Sequence, residues 1–161
     1  MTELGDDVKK NLENIKNAAM YVYDVSSFGG ARLGVPAVFP RVAFIPGRLP
    51  GANEYINACR ADSRKGNEMK RDAQMLCLCG LHKLPRHNAG RVGIKFVWIE
   101  PNMHRDPDNI CFAKKFILDQ MQTMKIISGD GWRQIAFLQD EFRVDKENPG
   151  VKVYLYIIEE S

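Results

Sequence analysis

The chain predicts an α+β domain, a small mixed sheet packed by helices, and three patterns predict it. Residues 92–99 alternate, with Val92, Ile94, Phe96 and Trp98 set against Gly93, Lys95, Val97 and Ile99. That is the period of a strand with one face buried and the other partly so. Long stretches on either side carry apolar residues at helical spacing instead. Two more strand-like runs, 133–144 and 151–158, close the chain around the turn signal Glu147-Asn148-Pro149-Gly150, which reads as a hairpin. Strands separated by helices, followed by a closing hairpin, define a mixed α/β arrangement within this class.

Taken in order, residues 1–40 form a first unit, an N-terminal helix and linker. Val8, Leu12, Ile15, Ala19 and Val22 make one helical stripe between Asp6 and Tyr23, and Ser26-Ser27-Phe28-Gly29-Gly30 breaks it. The second unit, 41–161, opens with a strand over Arg41–Ile45 that runs into the turn-rich Pro46-Gly47-Arg48-Leu49-Pro50-Gly51. Asn53 is placed to cap a short helix, and Asp62 or Ser63 a longer one reaching about Lys83. After the central strand, Pro107 fits the first position of a helix capped by Asp106 and extending to about Lys125.

Composition narrows the function classes. With 161 residues and 45% hydrophobic content the chain is long enough for one domain with a core. The formal charge of +3 conceals an asymmetry: residues 1–40 carry −1, residues 41–95 carry +7 and residues 96–161 carry −3. A basic half beside an acidic half suits a molecule that holds a polyanion in one place and metal ions in another. No apolar run approaches the roughly 18 residues of a membrane span, and the start Met1-Thr2-Glu3-Leu4-Gly5-Asp6-Asp7 lacks the pattern of a signal core. A cytoplasmic location without membrane contact is the expectation. Cys59, Cys77, Cys79 and Cys111 have no zinc-site spacing and read as reduced, mostly buried thiols.

The acids after the central strand carry the chemistry. On a continuous helix, Asp108, Phe112, Lys115 and Asp119 fall within about 60° of one another at ~100° per residue, while Ala113, Phe116, Ile117, Met121 and Met124 form the packing face. Asp106 and Asp108 at a helix start are favoured by the macrodipole. Such a carboxylate pair suits Mg²⁺ or Mn²⁺, hard cations that prefer oxygen. Phosphodiester hydrolysis needs an activated water and neutralisation of charge on the phosphoryl oxygens. The plainer reading makes Asp106 an N-cap, Asp108 a first-turn acid, Lys115–Asp119 an i,i+4 ion pair and Asp130, between two glycines, a turn residue.

Five segments together resemble the RusA-type Holliday junction resolvases, metal-dependent endonucleases of bacteria and prophages. They are RDPDN at 105–109, AKKFILD at 113–119, GDGW at 129–132, DKENPGVKV at 145–153 and the loop FIPGRLPGANEYI at 44–56, covering about residues 41–158 in the family's order. The resemblance implies a RusA-like fold and structure-selective resolution of branched DNA in recombination and repair, leaving 5′-phosphate and 3′-hydroxyl ends. It implies Mg²⁺ as cofactor, with Mn²⁺ an alternative, held by Asp106, Asp108 and Asp130, with Asp119 auxiliary and Lys115 supporting the transition state. It also implies a homodimer, whose two-fold symmetry matches a four-way junction. The chain departs from the pattern in a longer Asn109-to-lysine spacing and in Asp130 standing alone where many members have adjacent acids.

Arg60, Arg64, Lys65, Lys70 and Arg71, with Arg48 and Asn53 beside the glycine-rich loop and Arg105 next to the acids, are the expected DNA contacts. Trp132 reads more readily as a packed core residue than as a base-stacking wedge. Two rival readings stand beside the nuclease: a junction-binding protein whose acidic site is degenerate, and a metal fold acting on another phosphate ester.

Overall fold

The computed structural model describes residues 40–87 and 90–158. The N-terminal helix expected over 6–23 lies outside the described residues. Four strands, β1 (Arg41–Pro46), β2 (Arg91–Glu100), β3 (Ile135–Val144) and β4 (Gly150–Ile158), form one sheet in the order β1-β4-β2-β3. β4 runs antiparallel to both β1 and β2, whereas β3 is parallel to β2. The mixed sheet with its helices is the α+β class expected.

The closing hairpin is not there. β2 lies between β3 and β4, so the segment Asp145–Pro149 crosses the end of β2, where the Asp145 amide donates to the Glu100 carbonyl at 2.9 Å. The turn residues were read correctly, but Asn-Pro-Gly reverses the chain equally well when a third strand fills the gap. β2 is the central strand, and from Val92 to Glu100 every residue is buried, on both faces.

Helices α1 (Ala52–Ala61) and α2 (Ser63–Leu81) follow β1, while α3 (Pro107–Cys111) and α4 (Lys114–Thr123) make the crossover from β2 to its parallel neighbour β3. Asp62 caps α2 as expected, its side chain accepting from the Arg64 amide at 2.8 Å. The helices cover one sheet face. Ala73, Cys77 and Leu81 of α2 and Phe116, Ile117 and Met121 of α4 share a buried cluster with Ile45, Ile94, Phe96, Trp98 and Val153. Gly80 lets α2 reach β1, because a Cβ there would come within 2.6 Å of the Ile45 Cα. The opposite face has a smaller cluster of Val97, Ile99, Tyr154 and Tyr156 with Phe137. Burial, reinforced by the Tyr154 charge, pushes the Tyr156 hydroxyl up to about 12.

One expected helix over 107–125 is two. The break falls at Phe112–Ala113, where the Ala113 amide bonds the Ile110 carbonyl at 3.2 Å and the Lys115 amide bonds the Phe112 carbonyl at 3.1 Å, the tighter i→i+3 pattern. α4 ends with Lys125 in the left-handed region, φ 58°, closed by bonds from the Lys125 amide to the Gln122 carbonyl and the Ile126 amide to the Met121 carbonyl. That is a Schellman motif with lysine where glycine is usual.

Candidate acidic site and basic ridge

The RDPDN segment follows β2 directly, and its residues divide into inward and outward halves. Arg105 points in: Nε donates to Glu100 Oε2 at 3.0 Å, Nη2 to Glu100 Oε1 at 2.5 Å, and Nη1 to the Leu49 carbonyl at 2.9 Å. Its side chain is only 9% exposed. The expectation that Arg105 contacts DNA is therefore corrected. A guanidinium holding a carboxylate bidentately from a buried position has no donor face left for a phosphate.

Asn109 also points in. Its Oδ1 accepts from the Asn53 backbone amide at 3.0 Å, the N2 position of α1, whose own N-cap, Gly51, brings no side-chain bond. The cap of α1 is thus lent by α3, a second correction, since Asn53 was expected to cap and instead sits exposed inside the helix. Gly51 makes this possible: a Cβ there would lie 2.6 Å from Asn109 Oδ1. Asp106 caps α3 with Pro107 following it, as expected, though without a side-chain bond. Asp106 and Asp108 both face solvent.

The lysines exchange roles. Lys115 is 58% exposed and reaches Asp119 at 3.9 Å, whereas Lys114, which sequence reasoning passed over, donates to Asp140 at 2.5 Å and lies 5.6 Å from the Phe96 ring centre. Asp140 also accepts from Trp98 Nε1 at 2.8 Å. Burial, with the Asp140 and Asp108 charges, raises the Cys111 thiol against the opposing charge of Lys114. Among β3's residues, the alternation that puts Asp140 on the helix-facing side was the available signal.

Asp119 receives a second ammonium from α2, Lys70, at 3.5 Å. Arg60, Arg64, Lys65 and Arg71 are exposed. Arg64, Lys70 and Arg71 line a surface groove of about 470 Å³. Arg48 and Lys65 line another of about 350 Å³, with Arg48 paired to Glu54 at 2.5 Å. The expected basic track is therefore a ridge along α2, reaching the acids through the Lys70–Asp119 contact.

Asp130 does not join them. The turn holding it is pinned at the opposite end of β2, where the Gln134 amide donates to the Gly131 carbonyl at 3.0 Å and the Val92 amide to the Gln134 carbonyl at 2.8 Å. Parallel pairing of β2 with β3 forces this: one strand's end neighbours the other's end, and β3 begins where β2 begins. Val92 to Glu100 spans on the order of 26 Å at ~3.3 Å per residue, far beyond the ~2.0–2.6 Å bonds of one oxygen-ligated cation. Among the described residues no three His, Cys, Asp or Glu side chains gather as a cation site. The metal set expected from Asp106, Asp108, Asp119 and Asp130 is thus not assembled within one chain.

Other expectations meet mixed outcomes. Trp132 is 95% exposed and not a core residue. All four cysteines are free, but Cys59 and Cys79 are exposed while only Cys77 is fully buried. No described helix is long and apolar enough to cross a membrane. Neither protein-family models nor curated proteins provide a match to the chain.

Proposed function

We propose that this chain is a divalent-cation-dependent endodeoxyribonuclease of the RusA type that resolves branched DNA, chiefly four-way junctions, by phosphodiester hydrolysis during recombination and repair. The observation that carries the reading is the two-sided RDPDN segment. Arg105 and Asn109 are bound inward, so Asp106 and Asp108 are presented to solvent from a fixed base. Charged groups held in place before substrate arrives are what hydrolytic catalysis requires.

The basic ridge supports the same substrate. Arg64, Lys70 and Arg71 line one groove together and offer cations for phosphates, with Lys65 in the neighbouring groove, and such attraction weakens with salt. Lys115, more than half exposed, is the lysine available to a phosphoryl oxygen, while Lys114 is engaged by Asp140. Mg²⁺, or Mn²⁺ in its place, is the cation that the acid pair prefers by its hardness. One or two carboxylates, with waters and substrate phosphates completing the shell, are enough to hold such a cation.

The test is Asp108→Asn on a synthetic four-way junction. Cutting falls by about 100-fold or more, while binding measured by gel shift changes little. Unchanged cutting rejects the role given to Asp108. The scattered carboxylates favour one alternative, a junction-binding protein without nuclease activity. Shifted bands with no nicked product in Mg²⁺ and in Mn²⁺ would select it.

A further inference from the structure

We propose that residues 6–23 of this chain are the layer that closes the second face of the sheet, with their apolar stripe laid along β2 and β4. This packing does not depend on the nuclease reading above.

The ground lies on the face away from the helices. Register sets Tyr154 beside Lys95 and Lys152 beside Val97, with Val42 and Phe44 outside them on β1. No residue of the four described helices belongs to the cluster on this side. Yet Val97 is 1% exposed, Tyr156 6%, Tyr154 7% and Ile99 8%, and even Lys95 only 4%. Side chains standing on a single layer shield one another's flanks and leave their tips in water. Something therefore lies over them, and it is narrow. Val42 and Phe44 on β1 stay 41% and 38% exposed, and on β3 the Glu141 side chain is 30% exposed. The dry strip is two strands wide, β4 and β2, on the order of 10 Å at the spacing of neighbouring strands. One helix has that diameter.

The occupant follows by elimination. The dryness belongs to a single chain, so its cause is a segment of that chain and not a second copy. Outside the described residues there are only 1–39, 88–89 and 159–161. Two or three residues cannot cover a strip that runs from Gly93 to Ile99, roughly 20 Å at the strand rise. Residues 6–23 can, because a helix of that length spans about 27 Å. Its stripe of Val8, Leu12, Ile15, Ala19 and Val22 supplies an apolar side, with Lys10 opposite. The connection also fits. Residues 24–39 reach up to about 50 Å when extended, and they lead through the buried Pro40 into β1, the strand next to β4.

Thiol labelling of the full chain, mapped by peptide mass spectrometry, tests the packing. Val97→Cys reports on the proposed interface, and Ala113→Cys, in the cluster on the helix side, reports on the rest of the fold. Both label slowly. Adding Leu12→Asp with Ile15→Asp speeds labelling at position 97 by about 100-fold or more and leaves position 113 slow, whereas Lys10→Asp changes neither. Fast labelling at 97 in the chain without the aspartates overturns the proposal, as does slow labelling with them. Protection at 97 that is lost on dilution makes a second copy the cover, which also overturns it.

A photoreactive benzophenone side chain in place of Leu12 decides the case in which the aspartates unfold the whole chain. Cross-links within one chain to residues 92–99 or 151–157 support the packing. Cross-links to 52–81, or between chains, sink it.

Discussion

At the carboxyl end of β2 the chain is fastened from within: Arg105 ties Glu100 to Leu49, Asn109 caps α1, and Asp145 bonds Glu100. At the amino end, about 26 Å away by the strand rise, backbone bonds fasten the Asp130 turn among the described residues, and Trp132 projects into solvent. The contrast teaches where each end gets its order. One is organised by polar contacts of its own chain, and the other, among the described residues, leaves Trp132 uncovered.

Breaking the fastened end should cost most. Arg105→Ala leaves the Glu100 carboxylate buried and alone, so urea unfolding should show a loss of about 3–5 kcal/mol. Asn109→Ala removes the cap of α1 but strands no charge. The loss there should be about 1 kcal/mol, with faster amide exchange at Asn53 as the local sign. Equal losses for the two would mean that Arg105 contributes no more than an ordinary cap.

Between the ends, β3 is riveted to β2 by Lys95 and Glu141 at 2.7 Å, with Lys95 4% exposed. Burial works to raise the Glu141 carboxyl, but hydrogen bonds and charge from Lys95 and Arg143 outweigh it and hold the group below its ordinary 4.5. Its contribution is then complete above pH 4.5 and disappears as the pH falls through the lowered value. Melting temperatures should drop on acidification over that window, and Glu141→Gln should flatten the drop. The smallest effect belongs to the turn that carries the chain from one end to the other. Lys125→Gly relieves a left-handed lysine and should add about 0.5–1 kcal/mol, read as a higher melting temperature.

The elements were legible where local chemistry decides them. Alternation over 92–99, Asp106-Pro107 and Asp62-Ser63 each name a strand or helix start, and the structure has all three. What stayed hidden depends on partners distant in the chain. Phe112 and Ala113 are ordinary helix residues, so nothing local announces the break that turns Lys114 inward toward Asp140. The charge of Arg105 suggested a phosphate, yet the structure has it buried against Glu100, a partner five residues back. Strand order was hidden for the same reason, since the turn before Gly150 reads alike whether β4 pairs with β3 or with β2. Of the candidate site, the motif residues were visible and their separation was not, because parallel pairing of β2 and β3 leaves no mark on spacing.

The borrowed cap on α1 has a further consequence for how this chain tolerates change. Residues 47–52, rich in glycine and proline, look like the natural place for an inserted peptide or a shortened link. Yet Leu49 on this stretch and Asn53 just beyond it are gripped by Arg105 and Asn109, with the acids mounted between those two grips. Lengthening the stretch by a single residue would shift one grip against the other and tilt the mount itself, so the most permissive-looking part of the backbone is the part that sets the aim of Asp106 and Asp108.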